Sequence, residues 1–571
     1  MKRKLTMALF MSSLGLALMH GQIIHIPDDY SSIQEGIDAA QEGDTVIVSE
    51  GVYFENLQII GKTITLASQF LLDADTSHIS RTIIDGSKTS NPDMGSTVFI
   101  QNVDGNSLLL AGLTLQGGTG FNYENSFQGG GIAMLHSSGT IRNNIIEKNS
   151  IDAAEGGSCG IGVGLGASDT LNFHNNIVRN NTSHSEGMSA GACLFRVAGK
   201  DAAFYIHDNL ISHNSITSSG SYKVVGGGIY IESEYSYGAD VQVYNNTITY
   251  NEIHCKSSHG GGMYVVFGNE KVSPVGPTQV RIYNNLIHNN YSQDVGGGIA
   301  IWNMAKYLQP GLEYPHDPIL INNTITDNVA ADGSGIFNYD ASSVLINNIL
   351  WNEASNEAGR EIFQDSITEY DYCPSPCWPV EDNKGALHLY NNCIKGGWKS
   401  GMENEWEGTW HGTGNIDYDP LFHNESFQLT EQSYCAGNGT HSVEIEGLVY
   451  TIPEYDMYGN KRPHGIDDFP DMGAYESTYA KNPLPVHFNE ISTQNNILQV
   501  YPNPFQDQIT LRLSTDEVYQ LKIFSPTGQV IHEGEFSGTE HQLDLTGIHN
   551  GFYIISIQSN EMSSTRKVIK R

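Results

Sequence analysis

Between residues 129 and 352 the chain repeats one unit, and this limits the folds open to it more than any other feature. Half of the unit is glycine-rich and leads into an apolar run. Its copies are Gly129-Gly130-Gly131-Ile132, Gly226-Gly227-Gly228-Ile229, Gly260-Gly261-Gly262-Met263, Gly296-Gly297-Gly298-Ile299 and Gly333-Ser334-Gly335-Ile336. Weaker copies stand at Cys159-Gly160-Ile161 and Gly191-Ala192. The other half reads Asn-Asn-x-Ile-x-x-Asn over residues 143–149, 175–181, 245–251, 284–290 and 322–328, and residues 208–214 fit with Asp208 in first place. The last glycine falls at 131, 160, 191, 228, 262, 298 and 335, a period of roughly 29 to 37 residues, which is that of a solenoid. Each unit is rich in Ile, Val, Tyr, Thr, Asn and Gly and has no long helical periodicity, so its elements are strands.

Superposing the copies gives columns of like chemistry. Ile141, Phe173, Ile206, Val243, Ile282, Leu320, Leu345 and Leu389 form one apolar column, and Ile146, Val178, Ile211, Ile248, Ile287, Ile325 and Leu350 another. Repetition of apolar side chains in register is what a coil interior requires. Asn144, Asn176, Asn209, Asn246, Asn285, Asn323 and Asn348 read as a ladder of carboxamides at a tight turn. The glycines permit positive φ at the opposite corner. A bare coil needs only about 22 to 25 residues, so each unit carries an outer excursion.

A solenoid must close its ends. Ser32-Ile33-Gln34-Glu35 is a capping box; Ile33, Ile37 and Ala40 share one helical face, and Gly43 stops the helix ahead of a strand over 45–48. Strands of irregular early coils are expected over 63–66, 82–84, 97–100 and 108–115. Ile26-Pro27-Asp28-Asp29-Tyr30, Ile33-Gln34-Glu35-Gly36-Ile37 and Gly43-Asp44-Thr45-Val46 resemble the entry segment of the pectin-lyase-like superfamily of right-handed β-helix proteins. The Asn-Asn and Gly-Gly-Gly coils resemble the same superfamily, over about residues 23–400. The resemblance implies an all-β fold, a right-handed parallel β-helix with an N-terminal capping helix. It implies no particular activity, because the fold hosts lyases, hydrolases and binders. Asp419-Pro420-Leu421-Phe422, residues 456–463 and Asp471-Met472-Gly473-Ala474-Tyr475-Glu476 resemble the closing segment of bacterial choice-of-anchor surface proteins.

Residues 477–496 read as a linker, and 497–571 as a small C-terminal β-sandwich. Val500-Tyr501-Pro502-Asn503-Pro504-Phe505, Gly551-Phe552-Tyr553-Ile554-Ile555 and the basic end 567–571 resemble the type A C-terminal sorting domain of the type IX secretion system. That resemblance implies the secretion machinery as a partner of 497–571, and release or attachment at the outer surface. At the other end, Lys2, Arg3 and Lys4 precede an apolar run over 5–19, so residues 1–21 read as a secretory signal and 22–476 as the β-helix with its caps. No later apolar run is long enough for a transmembrane span. The balance of 29 basic and 64 acidic residues, net −35, excludes nucleic acid and anionic membranes as partners and is compatible with Ca²⁺ held on carboxylates. There are seven cysteines, an odd number; Cys373 and Cys377 are placed to clamp a proline-rich loop, and no zinc-ligand spacing is present.

No polygalacturonase-type set of catalytic motifs is found, so whether the chain is an enzyme is open. Two outward columns are the candidate sites. Preceding the paired asparagines stand Arg142, His174, His207, Tyr244, Tyr283, Ile321, Ile346 and Tyr390. Arg142, His174 and His207 on successive coils suit a polysaccharide lyase, with arginine for a carboxylate and histidine as base. The same column also fits an ordinary exposed strand face. After the glycine corner come Tyr230, Tyr264 and Phe337, with Trp302 and Tyr339 two places further on; such rings suit sugar stacking, or packing beneath the excursions. The expected function is that of an exported surface protein binding extracellular polysaccharide. A lyase or other carbohydrate-active enzyme and a non-catalytic structural adhesin are the alternatives.

Overall fold

In a computed structural model, the structure describes residues 21–105, 107–123, 126–153, 155–187, 189–220, 223–233, 238–267, 278–303, 318–339, 341–352, 361–365, 386–396, 410–423, 426–464, 468–484, 498–525, 529–559 and 563–571. Residues 1–20 of the expected signal sequence and the Cys373/Cys377 clamp lie outside these residues. The chain divides into two units, Met1–Pro483 and Leu484–Arg571. Tyr479 and Asn482 pack on residues 431–435, so the described part of the expected linker up to 483 belongs to the first unit.

The first unit is a right-handed parallel β-helix. Among the described residues its strands form three long sheets of 13, 11 and 10 strands, with neighbours almost always one coil apart in the chain. The expected interior columns are observed in register: Ile141 pairs with Phe173, Phe173 with Ile206, Ile206 with Val243, Val243 with Ile282 and Ile282 with Leu320. Each of these side chains is wholly buried. The second column likewise runs Ile146–Val178–Ile211–Ile248–Ile287–Ile325–Leu350. The core is therefore a shaft of stacked, mostly aliphatic side chains.

The tight corner divides its labour between two asparagines. The first of each pair holds the left-handed backbone, with φ of 56° at Asn143 and 54° at Asn175, Asn245 and Asn284. The second forms the ladder: Asn144 Nδ2 donates to Asn176 Oδ1 (3.1 Å), and Asn176 to Asn209, Asn209 to Asn246, Asn246 to Asn285 and so on. The final asparagine of the motif builds a second ladder that the column reading above omitted, Asn149–Asn181–Asn214–Asn251–Asn290–Asn328–Asn352. Glu361 ends it by accepting from Asn352 N and Nδ2.

Two local expectations are corrected. Ala192, not Gly191, stands in the place of the last glycine, because Cys193 is the partner of Ile161. The stretch 108–115 is two strands, Leu109–Ala111 and Thr114–Gln116, because Gly112 at φ 73° makes the corner that asparagines make later. At the N-terminus the capping box is present on the helix Ile33–Ala39, whose Ile33, Gly36 and Ile37 are buried against the first coils. The second unit has three antiparallel strands in one sheet and four in another, around a core that includes Leu511, Tyr519, Ile523 and Ile555.

Candidate functional site

The column Arg142–His174–His207–Tyr244–Tyr283 lies on the outer face of the 13-stranded sheet, one residue per coil and in register. Alternation with the buried column turns these side chains outward. The rings stack on one another almost parallel: His174 on His207 at 4.8 Å and 2°, His207 on Tyr244 at 4.6 Å and 6°, Tyr244 on Tyr283 at 4.8 Å and 2°. Ring faces are thereby occupied by neighbouring rings. What the column presents is a row of edges and polar heads, repeated once per coil.

The left-handed corner residues orient the histidines. His174 Nδ1 bonds Asn175 Oδ1 (2.7 Å) and His207 Nδ1 bonds Asp208 Oδ2 (2.6 Å). An acceptor on Nδ1 fixes the proton there and leaves Nε2 as the acceptor of the neutral ring. Burial, and then the neighbouring His207 and Arg142, hold the pKa of His174 below the usual imidazole range, so it is neutral at pH 7. Burial raises the Tyr244 and Tyr283 hydroxyls, which remain protonated donors.

Further along, the same column becomes apolar. Ile321 and Ile346 are covered by a hairpin, Ser442–Ile445 with Leu448–Thr451, through Val443, Ile445, Tyr450 and Ile452. Where the hairpin ends, residues 451–456 form one wall of an open cleft of about 390 Å³ beside Tyr244 and Tyr283, within the roughly 300–1,000 Å³ of small-ligand sites. Its sheet side is strongly polar. Arg281 Nη2 and Gln242 Nε2 both donate to Asp240 (2.7 and 2.8 Å), and Tyr283 donates to Gln242 Oε1 (3.1 Å).

The closing segment is held by the first-asparagine column. Asn284 Nδ2 donates to Tyr455 O (2.8 Å), Asn322 to Asp471 O (3.0 Å), Asn347 to Thr440 O (2.9 Å) and Asn391 to Asn438 O (3.0 Å). The segment is internally tied by Arg462, a fully buried guanidinium that donates to Glu476 Oε2 (2.8 Å) and Gly473 O (2.9 Å). Hence one column of corner residues orients the histidines in early coils and fastens the cleft wall in late ones.

The second candidate column lies on a different sheet, the 10-stranded one. Tyr230, Tyr264 and Phe337 are 8%, 2% and 5% exposed, packed with Ala190, Leu194 and Val225. Their rings pack beneath the excursions, the alternative named for these positions: the strands Ser189–Ala190, Val224–Val225 and Ser258–His259 run beside them. Trp302 and Tyr339 are half-buried and meet edge to face at 5.9 Å. Lys223 Nζ lies 3.9 Å from the Trp302 ring and 3.2 Å from Tyr264 OH. His259 contacts Tyr264 and Phe337 edgewise, and burial lowers its pKa. Asp294 is raised by burial and by Asp332. Lys223, His259, Asp294 and Asp332 escaped sequence reading because they sit in excursions outside the repeating unit; residues 451–455 of the wall carry none of the closing-segment motifs. Among the described residues no three His, Cys, Asp or Glu side chains converge as a metal site.

Together the coils and the terminal sandwich define an exported β-helix protein. Residues 499–571 match the family described as secretion system C-terminal sorting domain, and the chain is accordingly secreted or held at the outer cell surface by the type IX route. No curated protein matches the chain. Among solved structures it is similar to one described as the complex structure of XylC with xylose, at 11% identity over 81% of this chain and 99% of that one, with a TM-score of 0.36. No helix among the described residues is long and apolar enough to cross a membrane.

Proposed function

We propose that the first sheet's outer face binds an extracellular polysaccharide, lying along His174, His207, Tyr244 and Tyr283 and ending in the cleft beside residues 451–456. The observation carrying this reading is the row of polar heads at 4.6–4.8 Å intervals leading into that cleft. An extended glycan repeats its hydroxyls at a spacing close to one coil, and the neutral His174 acceptor with the phenol donors suits hydroxyls. The net charge of −35 favours a neutral polymer over an acidic one. Binding of neutral and acidic glycans on an array tests it. Retention of neutral glycans, lost in the variant His207→Ala/Tyr244→Ala, is expected; identical retention by that variant contradicts it.

A second reading, a polysaccharide lyase, is favoured by the His207–Asp208 pair at 2.6 Å, which points the Nδ1 proton at the carboxylate and leaves Nε2 as the ring's acceptor. It requires new unsaturated ends, read at 235 nm with acidic glycans. Absence of both product and binding would leave the structural adhesin.

A further inference from the structure

Cys393 and Cys435 come from parts of the chain with different roles. Cys393 lies in the short strand Cys393–Ile394, paired with Ile349 of the preceding coil. Cys435 lies in the closing segment, where its carbonyl accepts from Met472 N (3.0 Å). Both are wholly buried in one apolar cluster with Ile349, Ile416, Leu429 and Met472. Both are free thiols in this structure; Cys393 Sγ donates to Tyr418 O (3.1 Å), and the Tyr418 ring packs at 4.7 Å on Tyr434, the neighbour of Cys435. The sorting domain delivers the chain to a compartment where thiols are oxidised.

We propose that in the exported protein Cys393 and Cys435 are joined by a disulfide that fastens the closing segment to the last coils. The oxidant is the disulfide of an envelope thiol-exchange carrier, a protein or a small molecule. One cysteine thiolate attacks the carrier's disulfide and forms a mixed disulfide; the other displaces the carrier's sulfur. The chain gains one S–S bond, and the carrier takes up the two electrons and two protons as a pair of thiols. Burial raises the Cys393 thiol and leaves neither sulfur exposed once the segment is docked, so exchange belongs to the stage before it closes. Cys255 lies in a different apolar cluster, the shaft of the coils. The bond would enclose residues 393–435 and pin the start of the segment whose later residues, 451–456, wall the cleft. It would therefore make that wall a permanent feature rather than a flap.

The test is a peptide map of the full chain recovered after export, alkylated in denaturant without reductant. The expected result is a peptide pair linked through Cys393 and Cys435, two hydrogens lighter than its separate members and resolved by reduction. Alkylation of both cysteines, or linkage of either to another cysteine, would overturn the proposal. A second measurement reads the fastening. Reduction should speed proteolysis within residues 436–476 of the native chain but leave the rate in Cys435→Ala unchanged. A native rate that ignores reductant would overturn it.

Discussion

Asn347 and Thr440 hold one another reciprocally: Asn347 Nδ2 donates to the Thr440 carbonyl, and Thr440 N donates to Asn347 Oδ1, both at 2.9 Å. A corner side chain here substitutes for a strand edge, pairing a coil with a segment 93 residues further along the chain. Asn347→Asp keeps the shape but cannot donate, and places a carboxylate beside a carbonyl. The expected loss is about 1–3 kcal/mol of closing-segment stability, read as faster proteolysis within residues 436–476 with the coils intact.

The ladder is a stiffer test of the fold. Asn246 is wholly buried, accepts from Asn209 N and Nδ2, and donates to Ile206 O, Tyr244 O and Asn285 Oδ1. Asn246→Leu is close in volume but takes the acceptor from Asn209 N and Nδ2 and the side-chain donor from Ile206 O. We expect a loss on the order of 3 kcal/mol or more by denaturant unfolding, because each orphaned buried group costs about 1–3 kcal/mol.

Glu361 gives the coil a pH dependence. Burial raises its pKa to about 7, against the two hydrogen bonds from Asn352 that favour the charged form. A carboxyl raised in the folded state holds its proton longer there than in the unfolded chain. Its contribution is therefore whole below the ordinary glutamate range and is lost as pH rises toward 7. Glu361→Gln retains an acceptor for the ladder without the charge. It should flatten the slope between roughly pH 4.5 and 7 and be the more stable protein at pH 8, by up to about 3 kcal/mol. A native protein whose melting temperature does not change across that range would contradict this.

Much of the fold was legible because a solenoid writes its interior into the sequence once per coil. Ile141, Phe173 and Ile206 share a column since the pleat demands it, and the paired asparagines mark the corner. The second ladder was equally present, in the last asparagine of each motif, but its members read as spacing rather than as partners. The site was legible only in part. Arg142, His174, His207, Tyr244 and Tyr283 could be aligned by counting, whereas the wall could not: Tyr455 reaches Asn284 across 171 residues with no periodicity to announce it. Nor does alternation say what lies over an outward residue, which is why Tyr264 and Tyr244 looked alike and differ in burial.

Lys223 tests the second aromatic cluster. Its ammonium sits over Trp302 and beside Tyr264, where a cation over an aromatic face contributes about 0.5–2 kcal/mol. Lys223→Met preserves the stem and removes the charge. It should lower stability by about 1 kcal/mol and shift Trp302 fluorescence, while leaving glycan retention by the first sheet unchanged.

The measurement bearing most directly on the account is calorimetric titration of the coil-containing protein with neutral polysaccharides retained on the array, native against Tyr244→Ala. Tyr244 stacks between His207 and Tyr283 and lines the cleft. Its removal is expected to weaken binding by at least about tenfold, some 1.4 kcal/mol, with the fold unchanged by circular dichroism. Equal affinity in the two proteins would contradict the assignment of this face as the glycan site.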